Sequence, residues 1–185
     1  VYHMTCRGSR FADGAKRNPN GEVFMKNRET DEWLKQNHRS TRNFIRKWGH
    51  FVKHDTLMKP IVPPKYDIGL VIHNCNYQTL YELEPWCSKI YVDTFAEDYI
   101  NTEQPNTLFN LNDRVYSFDD DKTNDIEVRF DASEFTPQQF NYLAQLPEII
   151  ANDEELEEGS FNLGIFEIVV KKIKTYEKEL IKCES

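Results

Sequence analysis

Asp67-Ile-Gly-Leu-Val-Ile-His73 is a nearly continuous apolar run, the pattern of a strand buried on both faces of a parallel sheet. Asn74–Asn76 then reads as a turn or cap. Tyr77–Glu84 follows as a short helix with Leu80 and Leu83 on its apolar side, and Lys89–Asp93 as a second strand. Two short strands joined by a helix predict a right-handed parallel crossover. Further on, Ile126–Phe130 alternates apolar and polar residues, as a strand with one covered face does. Thr136-Pro-Gln-Gln139 fits a capping box with Pro137 at the first helical position. The helix it opens carries Phe140, Leu143, Leu146 and Ile150 on its apolar side.

Gly159 and Ser160 read as a turn, and Phe161 to about Lys172 as one strand, because β-branched and aromatic residues dominate there. A short helix can follow. Residues 94–124 are mixed, with Leu108-Phe109 and Val115–Phe118 as short strand candidates. Nearer the start, residues 12–29 are polar and loop-like. A helix begins near Thr30, a residue that can cap it, with Asp31 and Glu32 at the positive end of its dipole. Phe44, Ile45 and Trp48 share one face of this helix; Arg39, Arg42, Arg46 and Lys47 occupy much of the rest, and Gly49 can stop it.

Charge changes the picture. Of the chain's 23 Lys and Arg, 14 fall in residues 1–65, against only 6 of its 31 Asp and Glu. That part is +8 and the remainder −16, so the overall −8 describes neither. The change coincides with Lys59-Pro-Ile-Val-Pro-Pro-Lys65, whose prolines hold the chain extended and predict a linker or strap. Twenty-four aromatic residues can fill a core, which excludes a wholly disordered chain. No apolar run approaches the ~18–20 residues of a membrane helix. Four cysteines in 185 residues match ordinary intracellular usage and point to the cytoplasm. The sequence starts at Val1 with no initiator Met and reads as a piece of something longer.

Several constellations could carry chemistry. His50 and His54 are four apart and would share a face on a continuous helix, but Gly49 breaks it first. His73 and Cys75 form His-x-Cys, with Cys87 twelve residues beyond Cys75. The two cysteines fall at opposite ends of a parallel strand pair, which disfavours a shared metal or a disulfide. His73-Asn74 and Asp93-Thr94 both fall at strand carboxyl ends, where open α/β sheets bind ligands. Strand-end polar residues also serve as caps. No Gly-x-Gly-x-x-Gly and no Walker sequence is present, so a standard dinucleotide or P-loop site is excluded. The basic helix with Trp48 could meet nucleic acid, although its charge could equally pair with the acidic remainder of the chain. In Tyr2–Arg10, a strand-end His precedes Arg7, Gly8, Ser9 and Arg10. Such a turn suits a diphosphate held with a divalent ion, since Arg gives charge-assisted hydrogen bonds to phosphate oxygens.

Val1-Tyr2-His3 with Gly8-Ser9-Arg10, then Thr41-Arg-Asn-Phe-Ile-Arg-Lys-Trp-Gly49 and Pro60-Ile-Val-Pro-Pro-Lys-Tyr-Asp67, together resemble the C-terminal end of a family 2 (GT-A type) glycosyltransferase, in the wording of phage and environmental sequences. The resemblance covers about the first 60 residues. It implies that His3 coordinates a divalent ion, Mg²⁺ or Mn²⁺, which holds the donor diphosphate, with Arg7 and Arg10 beside it. It also implies a nucleotide-sugar donor and an acceptor hydroxyl as partners. The catalytic residues are expected upstream of Val1. Asp119-Asp-Asp121 is the only Asp-x-Asp match and reads as a loop.

The expected class is therefore α/β. Residues 1–59 would end a GT-A-like domain with a strand, a loop and a helix, and 60–65 would link it to an acidic α/β accessory domain, 66–185, containing the β-α-β unit. The alternative is a non-catalytic α/β protein-interaction module.

Overall fold

The computed structural model describes residues 11–12, 16–17, 30–153 and 156–173. The chain divides into two compact units, residues 1–41 and 42–185. In the first, Phe11–Ala12 (β1) and Lys16–Arg17 (β2) pair antiparallel, with Phe11 opposite Arg17. Helix α1 spans Asp31–Trp48. Thr30 caps it as expected: its Oγ1 accepts from Trp33 N at 3.2 Å. Gly49, at φ 79°, ends it, a left-handed conformation that glycine adopts without a Cβ penalty.

The division falls between Thr41 and Arg42, and residues 60–65 lie within the second unit. Lys53–His54 (β3) and Pro60–Ile61 (β4) form a small antiparallel hairpin. At its turn Asp55 Oδ1 accepts from Leu57 N and Lys59 N, both at 2.8 Å. Beyond it, Lys65 Nζ donates to the carbonyls of Arg46 and Lys47 at 3.0 and 2.9 Å. A lysine thereby satisfies orphan carbonyls at the helix C-terminus.

The second unit is mixed α/β. Its elements after the hairpin are Ile68–His73 (β5), Tyr77–Leu83 (α2), Lys89–Val92 (β6), Ala96–Glu103 (α3), Val115–Ser117 (β7), Ile126–Asp131 (β8), Pro137–Asn152 (α4), Gly159–Leu163 (β9) and Phe166–Val170 (β10). One six-stranded sheet has the order β7-β6-β5-β8-β10-β9. The first four strands are parallel, with Leu70 opposite Ile90 and Val128; β10 runs antiparallel to both β8 and β9. The β-α-β crossover is present as expected. So is the capping box at Thr136, where Gln139 Oε1 accepts from Thr136 N at 3.1 Å.

Two expectations change. Leu108-Phe109 forms no strand. Gly159 and Ser160 lie inside β9, and the turn falls five residues later at Gly164, φ 63°. Phe161 stands opposite Ile168 and Leu163 opposite Phe166, so the single expected strand is a hairpin whose two arms both present apolar residues to the core.

Ile68, Leu70 and Ile72 face one side of the sheet with Ile90, Val92, Ile126, Val128, Phe166 and Ile168. They pack with Leu80 and Leu83 of α2, Tyr99 of α3, and Leu143, Leu146 and Ile150 of α4. The opposite face carries Gly69, Val71, Tyr91 and Glu127, covered by the connection from β7 to β8. In that connection Asn124, 1% exposed, accepts from Tyr91 Oη at 2.9 Å and donates to Asp67 Oδ1 at 2.6 Å. Gly69 is required here: a Cβ on it would stand 2.4 Å from Asn124 Oδ1 and 2.7 Å from its Cγ. Gly69→Ala is expected to lower unfolding stability by about 1–3 kcal/mol, as overpacking does. Urea unfolding checks this, and Asn124→Ala should cost less in the Gly69→Ala background than in the wild type.

Candidate functional site

Two polar assemblies stand out in the second unit. The first lies at the buried end of α1. Arg42 and Arg46, which the basic-helix reading places against nucleic acid, instead point into the core. Arg46 Nη2 sits 2.7 Å from both Glu84 Oε2 and Glu103 Oε1. Arg42 Nε donates to Glu103 Oε1 at 3.0 Å, and its guanidinium lies 3.7 Å from the centre of the Tyr81 ring. Arg114 Nε donates to Glu84 Oε1 at 2.5 Å. Tyr99 Oη, itself buried, donates to Glu84 Oε2 at 2.8 Å.

This arrangement can hold charge but cannot reach a ligand. Burial opposes ionisation of Glu84, yet Arg114 and Arg46 outweigh it and hold its carboxyl down at about 2. Burial likewise opposes the charge on Arg46, and Glu84 with Glu103 raises its pKa nevertheless. Tyr99 is pushed up by burial and by the neighbouring Glu84 charge. Two helix arginines that are enclosed by carboxylates present no phosphate-binding surface.

The second assembly lies where strand order reverses. The chain steps from β5 to β6 to β7, then returns to place β8 on the other side of β5. In open α/β sheets the crevice at the carboxyl ends of such strands is the habitual ligand site. Here the β5 and β8 ends bring His73 opposite Asp131. Asn74, at φ 52°, turns the chain out of β5. Its Nδ2 donates to Asp131 Oδ2 at 2.7 Å and its N–H to Asp93 Oδ2 at 2.8 Å. Asp93 Oδ1 also accepts from Cys75 N at 3.2 Å, and Thr94 Oγ1 donates to the Cys75 carbonyl at 2.8 Å. The strand-end pairs His73-Asn74 and Asp93-Thr94 are therefore brought together. Asn74, Asp93 and Thr94 tie the loops down, whereas His73 stays exposed.

Beside this edge, on the face opposite the helices, opens a cleft of about 510 Å³. Val71, His73, Phe118, Lys122, Arg129, Phe130, Asp131 and Glu167 line it. The His73 and Phe118 rings are 4.2 Å apart, inclined by 50°. Asp131 is held below the usual carboxylate range by hydrogen bonds from Ser133, by Asn74 and by the adjacent His73. The sequence flagged His73 and Asn74. It did not flag Phe118, Lys122 or Arg129, whose approach depends on the path of the β7–β8 connection.

The remaining expected residues are quickly placed. His3, Arg7 and Arg10 lie outside the described residues. His50 is buried with its ring edge-on to Phe44 and its Nε2 has no hydrogen-bond partner among the described residues, while His54 is exposed on β3. Cys75 and Cys87 are buried free thiols, each pushed up to about 12 by burial, the first also by Asp93. Among the described residues no group of three or more His, Cys, Asp or Glu could hold a metal ion. None of their helices is long and apolar enough to cross a membrane. No family model, curated protein or solved structure matches this chain.

The Glu84 cluster yields two expectations. Glu84→Gln leaves buried guanidinium charge uncompensated and should cost about 3–5 kcal/mol, read by urea unfolding at pH 7. In the wild type, the contribution of the lowered Glu84 pKa is present above the ordinary carboxyl range and is lost as pH falls toward about 2. Stability should therefore fall between about pH 4.5 and 2, and Glu84→Gln should flatten that fall.

Proposed function

We propose that the chain is the C-terminal part of a nucleotide-sugar-dependent glycosyltransferase carrying an α/β accessory unit. The observation behind this reading is the resemblance of Val1-Tyr2-His3, Gly8-Ser9-Arg10, Thr41–Gly49 and Pro60–Asp67 to the end of a GT-A catalytic domain. The last two of these stretches lie within the described residues. Arg42 and Arg46 pair with Glu84 and Glu103, and Lys65 caps the helix that contains them.

In the intact enzyme the bond between the sugar and the donor diphosphate breaks, and a bond from an acceptor hydroxyl to the sugar forms. The hydroxyl proton passes to a base upstream of Val1. Arg7 and Arg10 would face the departing diphosphate, where guanidinium groups give paired, charge-assisted hydrogen bonds. The divalent ion implied by the resemblance would take His3 as a ligand and would neutralise charge on the leaving group. A second reading, a non-catalytic α/β module in the cytoplasm, is favoured by the cleft at the β5–β8 edge, which needs no upstream domain.

The test uses the protein encoded by the whole reading frame. Release of nucleoside diphosphate from sugar nucleotides should require Mg²⁺ or Mn²⁺, and His3→Ala should lower it at least tenfold. Metal-independent turnover that is unchanged in His3→Ala would remove the role given to His3. Absence of any turnover would favour the non-catalytic module.

A further inference from the structure

The two edges of the six-stranded sheet are finished differently. β7 is three residues long, and the N–H of Ser117 at its end donates to Asp120 Oδ2 at 2.8 Å. Asp119, Asp120 and Asp121 follow it, all exposed. A short strand with a capped N–H and charges beside it is a defended edge. The opposite edge, β9, is Gly159-Ser-Phe-Asn-Leu163, without a charge or a proline. Among the described residues nothing pairs with its outer side. The Gly164-Ile165 turn, with Gly164 at φ 63°, makes Leu163 and Phe166 its closing hydrogen-bonded pair. The antiparallel ladder alternates from there, so the N–H and C=O of Ser160 and Asn162 point away from β10.

Helix α4 extends the same surface. Its Phe140 ring meets Trp86 edge-on at 5.2 Å, and its Glu148 pairs with Lys53. Leu143, Leu146 and Ile150 face the sheet. The helical period then places Tyr142 and Ile149, seven residues apart, on the flank away from Trp86, toward the β9 edge. They are 51% and 36% exposed. Gln138, Gln145 and Asn152 continue that flank, all exposed. In a chain of which 29% is charged, α4 and β9 together carry one charged residue, Glu148. An exposed surface depleted of charge and centred on aromatic and aliphatic residues has the composition of a protein interface.

We propose that β9 pairs antiparallel with β9 of a second copy of this chain, about a two-fold axis through Phe161. In this register Ser160 stands opposite Asn162 of the second copy, and the two exchange both backbone hydrogen bonds. Phe161 meets its own counterpart and Gly159 meets Leu163. No charge faces a like charge. Glu157 and Glu158, just before β9, fall beside the Gly164-Ile165 turn of the second copy. The axis keeps both α4 helices on one face of the joined sheet and turns their Tyr142–Ile149 flanks toward each other. The contact is isologous and closes on itself. That match of strand and helix flank under a single axis is what selects a second copy over an unrelated strand. The association is independent of the glycosyltransferase reading.

Sedimentation equilibrium of the 185-residue chain from micromolar to millimolar concentration tests it, together with hydrogen exchange at single amides. The 21.9 kDa mass should double reversibly as concentration rises. In the dimer the Ser160 and Asn162 amides should exchange at least tenfold more slowly than in the dilute monomer. Asn162→Pro removes an outward donor and leaves the β10 ladder intact, and Ile149→Lys puts a charge on the exposed helix flank. Each should raise the dimer Kd at least tenfold. Circular dichroism checks their folding, and Ile149→Lys, at an exposed position, carries the comparison if Asn162→Pro does not fold. A chain that stays monomeric throughout overturns the proposal. So does a dimer in which the two amides exchange as fast as in the monomer, or undiminished association of the folded variants. Protection of both amides already in the monomer would mean that the chain covers its own edge, and it overturns the proposal equally.

Discussion

The second unit depends on one carboxylate. Glu84 is fully buried at the end of α2, between the helix layer and the last turn of α1. Arg46, Arg114 and Tyr99 all bond to it, and Arg42 lies 3.6 Å from it. An isolated buried charge would cost many kcal/mol, so each partner is held in place by the penalty for its absence. Arg114 also donates to the Glu84 and Cys87 carbonyls at 2.9 and 2.7 Å, which fixes the chain just before β6. The same cluster thus joins α1, α2, α3 and the start of a sheet strand.

The sheet solves a different problem. Helices cover one of its faces, and a single connection of polar residues covers part of the other. That is possible because Gly69 leaves room for Asn124, whose amide meets both Tyr91 and Asp67. Where the connection leaves the sheet uncovered, beside the ends of β5 and β8, the cleft opens. Arg129 pairs there with Glu127 and lies near Glu167, and Lys171 pairs with Glu127. Structure and candidate function therefore share one cause, the reversal of strand order around β5.

Much of the fold was legible from local pattern. The apolar run 67–73 and the alternation at 126–130 identified β5 and β8, and Thr136 with Gln139 marked the start of α4. What failed was information carried by distant residues. Phe161 to about Lys172 reads as one strand because both arms of the hairpin are rich in core residues, and only Gly164 signals the turn. Arg42 and Arg46 look like solvent-facing charge because their partners lie 38 to 61 residues away. For the site, strand ends pointed to His73 and Asn74. Phe118, Lys122 and Arg129 required knowledge of which strand β8 pairs with.

The central claim is that the last turn of α1 belongs to the cooperative core of the α/β unit through Glu84. Native-state hydrogen exchange on the intact chain tests it most directly. The account predicts that the amides of Ile45, Arg46 and Lys47 open with the same free energy as those of Leu70 and Ile90 in β5 and β6. Exchange at those helix positions by local fraying, well below the free energy of the strands, would contradict it.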